Sequence, residues 1–292
     1  MGFLPEKPGY GTAAQWKGAT RMNATVCASG LLTVFACVSL LHAAATTGAE
    51  TVDIGDLYTS NWRSGDFSGT ALRTWNAAGD SFSFTWSTTA GDQIGRIGKS
   101  HDSDGFGVRV DGMRDNCVMS TDGEIRNLVT GPAGFYMFAI YGWTHEQNSG
   151  WPSPNGWNNE FYVIFQHQLN LGPGSGNTTI GSVTVDGAVF DCYTNDMPWG
   201  TPNQTQWLAV ARDHAWNASV DLKQVFAYWR TQGLPDEYVV DLTWALEAGP
   251  GSRGELYLSR GYHTGDQPGV SGIARSLPGR SRRNRRAVIL PA

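Results

Sequence analysis

Much of the chain alternates apolar and polar residues with a period of two, the pattern of strands that turn one face to a core and the other to water or a ligand. In residues 239–247 (VVDLTWALE), Val240, Leu242, Trp244 and Leu246 fall on one face, while Asp241, Thr243, Ala245 and Glu247 fall on the other. In residues 159–166 (NEFYVIFQ), an apolar side of Phe161, Val163 and Phe165 backs a polar side of Glu160, Tyr162 and Gln166. Further strands are predicted over 81–86, 135–143, 181–193 and 255–259, with Asp186-Gly187 placed where a tight hairpin turn belongs. Only one stretch has helical spacing: Leu222, Val225, Phe226 and Trp229 recur at i, i+3, i+4 and i+7. Ser219 or Asp221 can cap its start, and Gly233 its end. Many short strands and a single helix predict an all-β fold, a twisted antiparallel β-sandwich with the helix packed on its flank.

The two ends do not share this pattern. Residues 24–45 are apolar and uncharged, follow Lys17 and Arg21, and close on Ala43-Ala44-Ala45, whose small side chains suit signal peptidase. Residues 1–45 are therefore expected to be a signal peptide, with Met22 as an alternative start. A signal anchor is the competing reading, because about 20 apolar residues just span a bilayer. Residues 266–292 are expected to be a basic, disordered tail, which leaves 46–265 as one domain. Residues 46–270 hold 12 Lys+Arg against 25 Asp+Glu, whereas 271–292 hold six Arg and no acid. An acidic domain of this kind argues against a nucleic-acid partner. With 37 Gly, 12 Trp and only 16% charged residues, neither a disordered chain nor a coiled coil fits.

Export permits a disulfide between Cys117 and Cys192, the two cysteines outside the leader, and two buried thiols are the equal alternative. Asn177, Asn203 and Asn217 begin N-x-S/T sequons. The histidines His101, His145, His167, His214 and His263 have no metal-ligand spacing, no nucleophilic Ser or Cys stands in a recognisable elbow, and residues 172–176 (GPGSG) carry no phosphate fingerprint. No metal or cofactor is implied, and proteases, esterases and nucleotide enzymes drop out.

Five segments carry a resemblance: FYMFAIYGWT at 135–144, NEFYVIF at 159–165, GSVTVDGAVFDCYT at 181–194, QWLAVARDHAWNASVDLKQVFAYWRTQGL at 206–234 and WALEAG at 244–249. In order and spacing they resemble consecutive strands, and the helix, of the glycoside hydrolase family 11 endo-xylanases. The resemblance implies a jelly-roll sandwich whose concave sheet grips a β-1,4-xylan chain and cuts it with retention. It places Glu160 at the family's nucleophile and Glu247 at its acid/base. A retaining glycosidase holds two such carboxyls about 5–5.5 Å apart. Read without the family, both are ordinary strand acids.

By the same resemblance Tyr141 and Tyr162 are tyrosines that hydrogen-bond the nucleophile and the sugar, and Gln206 is a glutamine near the nucleophile. Trp62 is a platform for a xylose ring. Asp92 stands beside the acid/base, where a second carboxyl sharing its proton implies an acidic optimum. The implied partner is xylan or a related β-glycan, met outside the cell by a monomer that holds no stable membrane association once its leader is removed.

The family's thumb hairpin is reduced here to residues 194–200 (TNDMPWG), which keep Pro198 but lack the arginine. Ala248-Gly249 follows the acid/base in place of Gly-aromatic, the strand before it lacks the family's tyrosine at the usual offset, and Tyr238 falls on the opposite face by parity. About ten extra residues with Trp151 and Trp157 enlarge the loop before Glu160. The expected activity is a secreted endo-1,4-β-xylanase; a retaining glycosidase on another β-glycan and a non-catalytic glycan-binding sandwich are the alternatives.

Overall fold

The computed structural model describes residues 43–263 apart from 55–56, 77–80, 105, 111–117, 133, 148–157, 170, 172–174 and 197–203. Residues 1–42, residues 264–292 with the basic tail, Cys117, Trp151, Trp157, Asn203, and Pro198 with the rest of 197–200 lie outside the described residues.

In chain order the strands are β1 (Ala43–Thr46), β2 (Val52–Ile54), β3 (Leu57–Arg63), β4 (Ser68–Asn76), β5 (Ser81–Ala90), β6 (Gln93–Ser100), β7 (Val108–Arg109) and β8 (Val118–Thr130). There follow β9 (Tyr136–His145), β10 (Asn158–His167), β11 (Thr178–Val185), β12 (Ala188–Asp196), β13 (Thr205–Ala211), β14 (Ala218–Asp221), β15 (Tyr238–Ala248) and β16 (Ser252–His263). One sheet has the order β1-β4-β5-β16-β8-β14. The larger has the order β11-β12-β13-β10-β9-β15-β6-β3-β2, with β7 added beside β15. The described pairings are antiparallel except that of β10 with β13, which is parallel and sets Gln206 directly beside Glu160.

Away from two bulges the alternation does what it predicts, although Val240, assigned to the core face, is the inserted residue of one bulge and Val239 enters the core instead. Phe161, Val163 and Phe165 of β10 and Leu242, Trp244 and Leu246 of β15 enter the core between the sheets, where Trp86, Trp229 and Trp244 are among the largest fully buried side chains. The opposite face of the larger sheet carries a second buried cluster that includes Ile94, Tyr141, Tyr162, Leu208 and Ala245. Two bulges interrupt the parity. A shift between Ile164 and Gln166 brings Gln166 opposite the core residue Phe138, away from the face of Glu160. A second, between Val239 and Asp241, sets Tyr238 opposite His145, on the same side of β9 as Trp143. The parity that assigned Tyr238 to the other face thus fails at an inserted residue. The Asp186-Gly187 turn is as expected, with both residues at positive φ (51° and 86°), which aligns the twist of β11 with that of β12.

The helix Leu222–Thr231 buries Leu222, Val225, Phe226 and Trp229. Its N-cap is Asp221, whose side chain accepts from the Lys223 N–H at 3.0 Å, and Gly233 follows its C-cap at φ 106°. Phe226 meets Phe161 edge-on at 5.0 Å between ring centroids, and Trp229 lies 6.3 Å from Trp207. Phe161 and Trp207 are register partners on β10 and β13. The helix therefore braces the reverse side of the two strands that carry Glu160 and Gln206. Asp221→Ala is expected to lower unfolding stability by about 1 kcal/mol, the usual effect of losing a side-chain cap, as read from the urea midpoint. An unchanged midpoint would mean that Asp221 does not cap this helix.

Candidate active site

Glu160 lies on β10 and Glu247 on β15, with β9 between them. Cross-strand register runs Thr243–Tyr141–Tyr162 over β15, β9 and β10, and Glu247 stands four residues beyond Thr243. Along a flat sheet that offset is about 13 Å at roughly 3.3 Å per residue. The Tyr162 hydroxyl nevertheless lies 3.0 Å from Glu247 Oε2 and 3.2 Å from Glu160 Oε1. Coiling of the sheet makes this face concave and gathers side chains from distant register positions. Laid end to end, those two hydrogen bonds bound the separation of the carboxyl oxygens, which places the pair at the short end of the range for glycosidase carboxyls.

The two carboxyls sit in different surroundings. Burial leaves the Glu160 carboxyl above its ordinary value, and hydrogen bonds from Gln206, Tyr141 and Tyr162 and the charge of Arg96 offset part of that rise. The Gln206 bond, Nε2 to Oε2, is 2.7 Å long. For Glu247, burial and the negative charge of Glu160 drive the carboxyl up to about 8; the Tyr162 hydroxyl offsets this in part, and Asp92 adds to the rise. One group is thus supplied with donors while the other is held in its protonated form through neutral pH. Burial and then the charge of Glu160 also raise Tyr141 and Tyr162 well above the usual phenol range, so both remain donors. Tyr141 in turn accepts from Trp143 Nε1 at 2.7 Å.

Asp92 begins the approach to β6 after Gly91, whose φ of 62° makes the turn. Its backbone N–H donates to Ser64 Oγ at 2.8 Å, its carbonyl accepts from the Ser64 N–H at 3.0 Å, and Ser64 Oγ bonds Asp66 at 2.7 Å. Burial and Asp66 raise the Asp92 carboxyl. Trp62, 41% exposed, pairs with Ile94, which pairs with Glu247, so the open indole stands two strands from the carboxyl pair. The structure therefore brings together Glu160, Glu247, Tyr141, Tyr162 and Gln206, with Asp92 and Trp62 at the margin, while Pro198 lies outside the described residues. Cys192 is a buried thiol. Among the described residues no three His, Cys, Asp or Glu side chains come together to hold a metal ion, and no helix is long and apolar enough to cross a membrane.

Two charged residues of this face escaped the sequence reading as site residues. Arg96 of β6 bonds Asp241 of β15 at 2.7 Å through Nη1 and Ser60 at 2.7 Å through Nε. Asp241 was legible as a residue of this face, but nothing in its strand named its partner. Arg96 lies in the glycine-broken segment QIGRIGKS, which has no clean alternation.

The model of the family described as glycosyl hydrolases family 11 matches residues 55–256. The "Ethylene-inducing xylanase 1" of Verticillium dahliae is 28% identical over 193 residues, which cover 64% of this chain and 73% of that protein. Among solved structures, the family 11 xylanase from Neocallimastix patriciarum has a TM-score of 0.60 at 16% identity, over 75% of this chain and 97% of that one. The native family 12 xyloglucanase from Bacillus licheniformis has a TM-score of 0.55 at 17% identity, over 74% and 97%. At such identities the two structural likenesses concern the fold.

The raised Glu247 carboxyl has a consequence for stability. Its proton is held more tightly in the folded chain than in the unfolded one, so the associated stabilisation is full below about pH 4 and is lost as pH rises toward about 8. Glu247→Gln, neutral throughout, escapes that loss. Its melting temperature is expected to exceed that of the wild type by a margin that grows between about pH 4 and about pH 8, measured by calorimetry. A margin independent of pH would contradict a raised Glu247.

Proposed function

Because the chain belongs to glycosyl hydrolases family 11, we propose that it is a secreted endo-1,4-β-xylanase that cleaves internal bonds of plant xylan with net retention. The observation that carries this reading is the carboxyl pair joined through the Tyr162 hydroxyl, with donors converging on Glu160 and a proton retained on Glu247. The printed name of the Verticillium dahliae relative, a xylanase, supports the choice of substrate. The apolar run at 24–45 supports export, with residues 1–45 as a leader, 46–265 as the hydrolase domain and 266–292 as a basic tail.

In the first step the Glu160 carboxylate attacks the anomeric carbon while Glu247 gives its proton to the departing glycosidic oxygen. The carbon–oxygen bond breaks, and a glycosyl ester forms on Glu160. With its neighbour's charge consumed in the ester, Glu247 no longer faces an anion, so its carboxyl becomes more acidic and stays ionised to act as the base. In the second step it takes a proton from a water molecule whose oxygen attacks the same carbon. Glu160 leaves as a carboxylate, and Glu247 is protonated again. Gln206, Tyr141 and Tyr162 hold Glu160 ionised and aimed, and Trp62 stacks a sugar ring. Asp92, near Glu247 and itself raised, adds its charge to the rise of Glu247 and so helps the acid/base keep its proton.

A retaining glycosidase on another β-glycan is the second reading, favoured by the departures of this sequence from the family pattern, the reduced thumb segment 194–200 without its arginine and the extra residues before Glu160. Reducing-end release from arabinoxylan, xyloglucan and mixed-linkage β-glucan separates the two. Release from arabinoxylan is expected, with Glu160→Gln and Glu247→Gln each lowering the rate by about 10²-fold or more. Release from xyloglucan or mixed-linkage glucan alone would transfer the assignment to that glycan. Glycan binding by folded protein without any hydrolysis would overturn both.

A further inference from the structure

Arg96 and Asp241 stand on the same concave face as the carboxyl pair. Register places Arg96 beside Ser60 on one flank and Ala245 on the other, two residues along β6 from Ile94, the neighbour of Glu247. Asp241 is the register partner of Trp143, which is itself the partner of Glu160. The Arg96 side chain is 18% exposed and that of Asp241 11%, so this ion pair is largely withdrawn from water. A withdrawn pair persists only when its remaining donors and acceptors are satisfied. Asp241 meets that condition by accepting from the Tyr58 hydroxyl at 2.6 Å as well as from Arg96, and Arg96 by also donating to Ser60.

The guanidinium is held between two rings, its central carbon 5.5 Å from the centroid of Tyr58 and 5.5 Å from that of Tyr141. Tyr141 is one of the phenols that bond Glu160, and its ring lies 4.8 Å from that of Tyr162, the other. We propose that Arg96, anchored by Asp241, is a positioning residue for the hydrolytic pair: it fixes the Tyr141 ring from below and supplies the positive charge that keeps Glu160 an anion while Glu247 keeps its proton. The proposal rests on the reading of Glu160 as nucleophile. It assigns the fixed cation to a residue of the sheet itself, independent of any loop that closes over the cleft.

The electrostatics have a definite sign. Glu160 is faced by Tyr162 on its own strand, Tyr141 on β9, Glu247 on β15, Arg96 on β6 and the uncharged amide of Gln206 on β13, with the Asp241 carboxylate paired to Arg96 behind them. Arg96 is the cation of that set. Burial opposes its charge, but Tyr58, Asp241, Tyr141 and Tyr162 outweigh burial and raise its pKa, so it stays charged throughout. Removing Arg96 must make Glu160 harder to ionise, and removing the negative charge of Asp241 must make it easier. A pair that only holds strands together has no reason to give opposite signs.

The test is a carbon-13 titration of the Glu160 carboxyl, labelled at the carboxyl carbon and assigned by its absence in Glu160→Gln. It is run without substrate on the wild type, Arg96→Met, Arg96→Lys and Asp241→Asn. The lower midpoint of the coupled pair is expected to rise by about one unit in Arg96→Met, to stay near the wild-type value in Arg96→Lys, and to fall in Asp241→Asn. The acid limb of the kcat/KM profile moves with it. Should Arg96→Met fail to fold, Asp241→Asn and Arg96→Lys decide the matter. A midpoint unmoved by Asp241→Asn, or displaced in the same direction by loss of either partner, overturns the proposal. Because the titration needs no turnover, absence of hydrolysis by the wild type would count against the proposed function and not against this one.

Discussion

The Tyr162 hydroxyl lies within hydrogen-bond distance of both Glu160 and Glu247, and it has one hydrogen to give. Two ionised carboxylates flanking it would leave one lone pair facing another. The arrangement is satisfied when one of the two carboxyls brings its own proton to the shared phenol. Everything else around the pair biases which carboxyl keeps the proton. Gln206 and Tyr141 add donors to Glu160 alone, while the charge of Glu160 and the nearby Asp92 add to the rise of Glu247.

Such a balance needs positions that do not drift, and the scaffold supplies them from behind. Phe161, between Glu160 and Tyr162 in sequence, points to the opposite side and packs against Phe226 and Trp229 of the helix. The parallel pairing of β10 with β13 sets Gln206 level with Glu160, and Trp207 carries the same strand into the core beside Trp229. Glu160, Tyr162 and Gln206 are thus each one step along the backbone from a buried aromatic side chain, and Tyr141 and Glu247 are each one step from a buried aliphatic one, Ile140 and Leu246. A close-packed interior has few alternative arrangements, so rotation of the site residues would require disturbing the core.

How much of this was legible depended on how regular the strands are. The segments 159–165 and 239–247 alternate cleanly, so the faces of Glu160, Tyr162, Asp241 and Glu247 could be assigned by counting, and the helix announced itself through four buried positions capped by Asp221. Counting failed at the two bulges, where one inserted residue reverses parity: Gln166 left the site's face, and Tyr238 proved to lie on the same side of the sheet as Trp143. Local pattern could not supply the parallel β10–β13 pairing either, since it depends on the hairpin β11–β12 lying at the outer edge of the sheet. Arg96 was missed for a related reason. Its strand is broken by glycines that give it no face of its own, and its partner Asp241 lies 145 residues away in sequence. What the residues alone could offer for Gln206 and Asp92 came from resemblance; the contact of Gln206 with Glu160 and the position of Asp92 near Glu247 come from the geometry of the fold.

Successive action of Glu160 and Glu247 through a glycosyl ester, as proposed, fixes the stereochemistry of the product. Proton NMR of a xylo-oligosaccharide digest, followed from the first turnovers and before mutarotation, reads that stereochemistry directly. The β-anomer of the new reducing end is expected first, with the α-anomer growing in only later. First appearance of the α-anomer would mean direct attack by water, and the assignment of Glu160 as a nucleophile would be wrong.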